Sequence, residues 1–285
     1  MDARAFFAEH GWLVVRDALP ADAVEALVQA CDAVCPPASY TAAEPGGPVV
    51  ERIAASRAHP VLARAATDPT LARHAAEALG CRRVQLLQDT LLIKPPGAGR
   101  VAWHQDDTYT GFLEPAGSVS VRVALTDCTV ESGCLHVLDG SHRWGLVGPL
   151  SILSATSVAD TLALLDGAET RDAYKNATPL LLRKGDLSVH HCLTFHGSAE
   201  NRGTTARKTL ILRLFDSTCT LVASRLPSPA MAAYFPTDPD GHLSHDAFPV
   251  AYDADSQELT RPTWVAESHP ACPEGTARRP RGSSR

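Results

Sequence analysis

The chain has 285 residues, 45% of them hydrophobic and 20% charged, so it can bury a sizeable core in one or two domains. Its net charge of −6 argues against a basic nucleic-acid groove or an anionic-membrane surface. No window reaches the run of about 18 apolar residues that a membrane span requires, and the N-terminus reads as no signal peptide, so a cytoplasmic chain with reduced cysteines is expected.

Residues 2–10 read as a short helix closed by Gly11, followed by a strand-like run from Trp12 to Val15. Pro20 opens a second helix, on which Val24, Leu27, Val28, Cys31 and Val34 recur at helical spacing. A loop rich in Pro, Gly and Ala covers 36–48. A further helical stretch is expected over about 58–79, ending at Gly80. From Arg83 to Phe215 the texture changes to short β-branched runs between Gly, Pro, Asp and Ser breaks, with helical signal only at about 157–166 and near 171–175. Short strands behind an N-terminal helical layer suggest a β-barrel or jelly roll backed by helices. Five of the 21 prolines fall between 227 and 249, so 216–285 reads as largely irregular, with a frayed basic tail at Arg278–Arg285. No repeat or long linker divides the chain, which is read as one domain over 1–285: a helical layer to about 80, a core over about 83–215, and the C-terminal region. The eight cysteines include no Cys-x-x-Cys pair, which argues against a zinc knuckle.

The first chemical candidate is Trp103-His104-Gln105-Asp106-Asp107. Residues i and i+2 of an extended strand point to one side, so His104 and Asp106 can reach one metal together. Two His and one carboxylate on one face of an octahedron leave open positions, the arrangement of Fe(II) oxygenases. Among 12 His, one His-x-Asp triplet arises about once by chance, so the pair needs a third ligand. His196, before the close-packing Gly197, is preferred, with His191 as the fallback. His190 and His191 point to opposite faces of a strand, so at most one looks inward.

Arg207, Thr209, Ile211 and Arg213 share one face of the strand beginning at Arg207. An inward Arg at its start would clamp a carboxylate in a two-pronged bond, with a dicarboxylate as the natural partner. On its own it reads more readily as a surface Arg paired with an acid. In Ser118–Leu125 one face is Val119, Val121, Val123 and Leu125. The other is Ser118, Ser120, Arg122 and Ala124, which is either a cavity wall or a solvent face.

Several segments occur in an order that resembles the phytanoyl-CoA dioxygenase family of Fe(II)/2-oxoglutarate oxygenases. They are Leu92–Gly97, Trp103-His104-Gln105-Asp106, Gly133–Arg143, His196-Gly197-Ser198 and Arg207-Lys208. Gly241–Leu243 through Phe248-Pro249 is similar to the family's C-terminal stretch. The resemblance implies a double-stranded β-helix, a cupin-like jelly roll with iron at one mouth. It makes His104, Asp106 and His196 the iron ligands. Arg207 and Ser198 would hold the distal carboxylate of 2-oxoglutarate, with Thr90, Gln88 and Lys94 beside it. Arg122 departs from the family, which often carries an aromatic residue there; it is expected to contact the substrate or 2-oxoglutarate. Asp107 and Tyr109 are expected at the substrate entrance, and His142 and Arg143 to be structural.

The resemblance implies oxidation of an unactivated C–H bond with O2, by hydroxylation or oxidative cyclisation. Asp106 fills the position a halide would need, which disfavours halogenation. A small polar natural-product or sugar-containing antibiotic intermediate is the preferred substrate. An acyl-CoA or amino acid, or the chemistry of a cupin-like metal hydrolase or isomerase, is the alternative. A non-catalytic jelly-roll binding protein is the third reading.

Overall fold

The computed structural model describes residues 2–40, 46–146, 172 and 174–256. Helix α1 (Ala3–His10) starts where the Asp2 side chain accepts from the Ala5 amide, and stops at Gly11, whose φ of 78° suits a left-handed cap. Strand β1 (Trp12–Val15) and helix α2 (Ala21–Val34) follow, with Pro20 at the cap of α2. Strand β2 (Val50–Ile53) comes next. The helical stretch expected over 58–79 is two helices, α3 (Pro60–Ala66) and α4 (Pro69–Leu79). Asp68 caps the Thr70 and Leu71 amides and Pro69 takes the first turn, so a new helix starts there and the chain bends.

The β region contains β3 (Arg83–Lys94), β4 (Val101–His104), the short helix α5 (Asp107–Thr110), β5 (Leu113–Glu114), β6 (Ser118–Ala124), β7 (Leu135–Val137), β8 (Thr178–Leu180), β9 (Leu187–His191), β10 (His196–Ser198), β11 (Arg207–Asp216), β12 (Thr220–Leu221) and β13 (Val250–Asp253). The large sheet has the order β1-β9-β6-β11-β3-β13, with β2 also on β3. The small sheet is β4-β10-β7-β8, and β12 pairs with β5. This is the expected double-stranded β-helix. The helical reading at about 157–166 and the basic tail lie outside the described residues, as does most of the reading near 171–175. The C-terminal region is less irregular than expected: β13 forms an edge of the large sheet, with Val250 opposite Gln85 and Asp253 opposite Arg83. Among the described residues no helix is long and apolar enough to cross a membrane.

The large sheet has two unlike faces. Val119, Val121 and Val123 of β6, Leu187 and Val189 of β9, and Leu210, Leu212 and Leu214 of β11 pack in one cluster with Leu27, Leu62, Leu71 and Ala75 of the helices. Burying each Val or Leu contributes roughly 1.5–3 kcal/mol over leaving it in water. That total fixes which face turns to the helical layer. The period of two then sends Ser120, Arg122, Ser188, His190, Thr209 and Arg213 the other way, into the jelly roll. All seven residues of β6 are buried, so its polar face is an interior wall and not a solvent face.

A register shift between Arg213 and Leu214 refines that wall. Arg213 pairs with Gln88 and Leu214 with Leu86, leaving Leu87 as an extra residue in β3. The bulge lets both Leu87 and Gln88 line the cavity.

Candidate active site

His104 closes β4 and lies directly across from His196, the first residue of β10. Their rings are 4.2 Å apart between centroids. Asp106 does not continue the strand: its φ of −60° and ψ of −27° place it at the cap of α5. His104 and Asp106 therefore converge through a strand-to-helix turn, not as alternate residues of one extended strand. Gln105 anchors that turn, its amide donating to the Gly145 and Leu193 carbonyls at 2.8 and 2.7 Å. Gly197 allows β10 to lie close to β4, since a Cβ there would stand 3.0 Å from the Trp103 ring.

The tautomers follow from the partners. His104 Nδ1 meets the Ala102 carbonyl at 2.7 Å and His196 Nδ1 the Thr194 carbonyl at 2.8 Å. A carbonyl only accepts, so each Nδ1 carries the proton and each Nε2 presents a lone pair. Both Nε2 atoms face Asp106 Oδ1, at 3.7 and 3.9 Å. Burial lowers the pKa of both rings, well below the usual histidine range for His196, so both are neutral. Two lone pairs aimed at a carboxylate oxygen repel unless a cation lies between them. The three donor atoms lie within 4.8 Å of one another. The donor set fits a divalent metal, and the carbonyl contacts behind each ring orient it as metal-bound imidazoles require.

Asp106 has its other oxygen occupied. Ser120 donates to Oδ2 at 2.6 Å and His190 Nε2 approaches it at 3.3 Å. Burial alone would raise this carboxyl's pKa, but Arg213, 3.3 Å from Oδ1, and the nearby histidines hold it well below the usual range. Asp106 is thus an anion with Oδ1 turned to the metal position. His190 spends its Nε2 on Oδ2 and is a support for the carboxylate, not a third imidazole. It is also the inward member of its pair. The fallback choice of His191 is corrected: His191 Nδ1 accepts from the Leu193 amide at 3.1 Å and its ring lies beside Phe7 and His142. His142 in turn meets the Ala8 carbonyl at 3.1 Å, in keeping with a structural role.

The triad opens on a cavity of about 810 Å³ lined by Gln88, Thr90, Arg122, Ser198, Arg207 and Tyr109 among others. Lys94 and Asp107 do not line it. Lys94 is fully buried behind Ser198, donating to its hydroxyl at 2.9 Å and also to the Ala199 carbonyl. Asp107 is buried against Cys192 and Thr110, away from the entrance assigned to it. Arg207 is 1% exposed and donates to the Gly133 carbonyl, while its Nε has no partner. Burial lowers the pKa of Lys94 to about 7, assisted by Arg207 and Arg122. Burial likewise lowers Arg122 to about 10, again assisted by Arg207. Among the described residues, no carboxylate comes within 4.0 Å of Arg122, Arg207 or Lys94. Three buried cations without an anion are costly, and a dicarboxylate such as 2-oxoglutarate fits the place they leave. Ser120, His190 and Arg213 were placed on candidate inward faces by strand alternation, but their convergence on Asp106 was not read from sequence.

The family model for phytanoyl-CoA dioxygenase matches residues 7–209. The chain belongs to the phytanoyl-CoA dioxygenase family. Its members are Fe(II)/2-oxoglutarate-dependent oxygenases. Phytanoyl-CoA dioxygenase 1 of Oryza sativa subsp. japonica is 30% identical over 138 residues, covering 48% of this chain and 46% of the rice protein. The chain spans about half the length of the curated relatives it matches first. Among solved structures, the non-haem α-ketoglutarate-dependent carbocyclase SnoK of nogalamycin biosynthesis superposes with a TM-score of 0.68 at 23% identity, covering 87% of this chain and 94% of SnoK. EctD from S. alaskensis with bound Fe gives 0.59 at 26% identity, covering 78% and 79%.

Proposed function

We propose that this chain is an Fe(II)/2-oxoglutarate-dependent dioxygenase that oxidises an unactivated C–H bond of a natural-product intermediate, by hydroxylation or oxidative ring closure. The observation that carries this reading is the triad of neutral Nε2, neutral Nε2 and anionic Oδ1, opening on the same cavity as Arg207, a buried cation without an anion. His104, Asp106 and His196 would hold the iron. Arg207, with the Ser198 hydroxyl set by Lys94, would hold the distal carboxylate of 2-oxoglutarate. Iron would activate O2, with two electrons from 2-oxoglutarate and two from the substrate, leaving succinate and CO2 as coproducts.

The chain's own contribution is orientation and exclusion. Ser120 and His190 fix one oxygen of Asp106 so that the other faces the metal position. Arg122, 7% exposed on the same wall as Ser120, is placed to meet the cosubstrate or an oxygen of the substrate. Apolar side chains around the cavity limit water at the reacting centre. The assignment to natural-product tailoring is supported by the likeness to SnoK, whose place is nogalamycin biosynthesis. A hydrolase or isomerase on the same ligands has no use for three buried cations without counter-ions.

The test is Fe(II)-dependent conversion of 2-oxoglutarate to succinate, with natural-product intermediates screened for stimulation. Asp106→Ala is expected to abolish turnover; full turnover in that variant would remove the triad assignment.

A further inference from the structure

The outer half of the cavity carries chemistry that neither metal nor cosubstrate needs. Three of the chain's seven phenylalanines (Phe112, Phe235 and Phe248) and two of its five tyrosines (Tyr109 and Tyr234) line it. Phe235 lies parallel to Phe248, 11° apart in plane with centroids separated by 5.7 Å. The Phe112 ring is tilted 59° to that of Phe235, with centroids 4.7 Å apart. The result is a wall of ring faces and edges in series. It stands on a second apolar cluster, separate from the main core, that includes Phe112, Phe215, Leu226, Leu243 and Phe248.

A second observation is independent of the first. Among the described residues six large hydrophobic side chains are exposed, and three of them sit on this one cavity: Ile53 at 57%, Tyr109 at 46% and Tyr234 at 76%. Apolar side chains gathered at a concave mouth mark a binding surface, whereas scattered ones need no explanation. The charged residues of the same region are few: Glu51, Arg57 and Asp89, the last held by the Ser56 amide and hydroxyl. A single arginine is no cluster for the phosphates of a CoA ester. Arg122 and Arg207 line the same cavity as the triad, with Lys94 behind Ser198.

We infer that the cavity takes a flat, ring-bearing organic molecule of two or more fused rings. Its body stacks on Phe112, Phe235 and Phe248, in the cavity that the triad also lines. This sharpens the proposed oxygenase reading and rests on it; it replaces the small polar molecule expected from sequence. Offset and edge-to-face ring contacts are the geometry this wall offers, and a volume of about 810 Å³ suits a ligand of drug size.

The experiment is equilibrium dialysis of the full chain, with Fe(II) and without, against dihydroxynaphthalene, 1,8-dihydroxyanthraquinone, dodecanoate and octanoyl-CoA. A fused-ring probe is expected to saturate at micromolar concentration and to bind more tightly than either acyl compound. Phe235→Leu keeps apolar bulk but removes the ring, and is expected to weaken the ring probe about three- to tenfold. Tyr234→Ala, on an exposed side chain that folding does not need, is expected to weaken it similarly. Val130→Ser, exposed and away from the cavity, should leave binding unchanged. Failure of both ring probes to saturate below about 1 mM overturns the inference. So does tighter binding of an acyl probe, or indifference of the ring probe to both Phe235→Leu and Tyr234→Ala. A chain that turns over 2-oxoglutarate but binds no ring keeps the oxygenase reading and loses this one. A chain that binds the ring with the expected variant pattern but never consumes 2-oxoglutarate does the reverse.

Discussion

Replacing Arg207 with Leu separates two things a buried arginine can do. In the protein without 2-oxoglutarate, its guanidinium has the Gly133 carbonyl, an unpartnered Nε and the repulsion of Lys94 and Arg122. Removing it therefore relieves an uncompensated charge, and the unliganded chain is expected to keep its Tm within about 3 °C or to gain. With 2-oxoglutarate bound, a two-pronged clamp makes two hydrogen bonds to a charged group, each worth about 1.5–3 kcal/mol. Losing about 3–6 kcal/mol corresponds to roughly a 10²- to 10⁴-fold weaker Kd. Anaerobic calorimetry with Fe(II) reads the Kd directly, and thermal unfolding with cosubstrate gives a second view. At 100 times the parent Kd, 2-oxoglutarate stabilises the parent by about 2.7 kcal/mol. The same concentration should stabilise the variant by about 0.4 kcal/mol or less. A Kd within about threefold of the parent would refute the clamp. A large fall in the unliganded Tm would refute the reading of Arg207 as a cation waiting for its counter-ion.

Arg122→Leu should raise the apparent KM for 2-oxoglutarate or for the substrate; if neither rises, Arg122 serves another purpose. The affinity for 2-oxoglutarate should fall as pH rises through about 7, because burial has lowered Lys94 into that range. A dicarboxylate binds best beside a charged lysine, so the complex takes up a proton above that pH and loses affinity there. Buffer-dependent binding enthalpy at about pH 8 measures this uptake, and Lys94→Met should abolish it. Ser120→Ala should weaken Fe(II) binding about tenfold by freeing Asp106 Oδ2, as loss of a ligand's hydrogen-bonded support generally does; unchanged metal affinity would count against the orienting role. Gly197→Ala would press a methyl group against Trp103, and should cost about 1–3 kcal/mol of stability, read as a lower Tm.

The main residues of the site are legible in the chain because their chemistry is local. His104, Asp106, His196 and Arg207 stand in motifs whose order resembles a known family, and alternation in β6 and β11 marks an apolar and a polar face. The helical layer and its caps at Gly11 and Gly80 are equally local. What sequence misjudged is direction. Asp107 sits in the right segment but is buried against Cys192 and Thr110, and Lys94 reaches the Ser198 hydroxyl without lining the cavity itself. Asp106 reaches the metal position through a helix cap and not through strand alternation.

Ser120, His190 and Arg213 come from three strands far apart in sequence, and converge on one carboxylate only because β9, β6 and β11 are neighbours in the large sheet. Pairing of that kind is decided by long-range burial, which no short motif encodes. The aromatic wall has the same origin: Phe112 and the 235–248 segment meet only when the C-terminal region folds back and β13 joins β3. The candidate triad and the strands that carry it can be read from the chain alone. The tertiary structure alone decided what supports the carboxylate and what shape of molecule the cavity accepts. Those depend on which distant side chains the packing brings to one point.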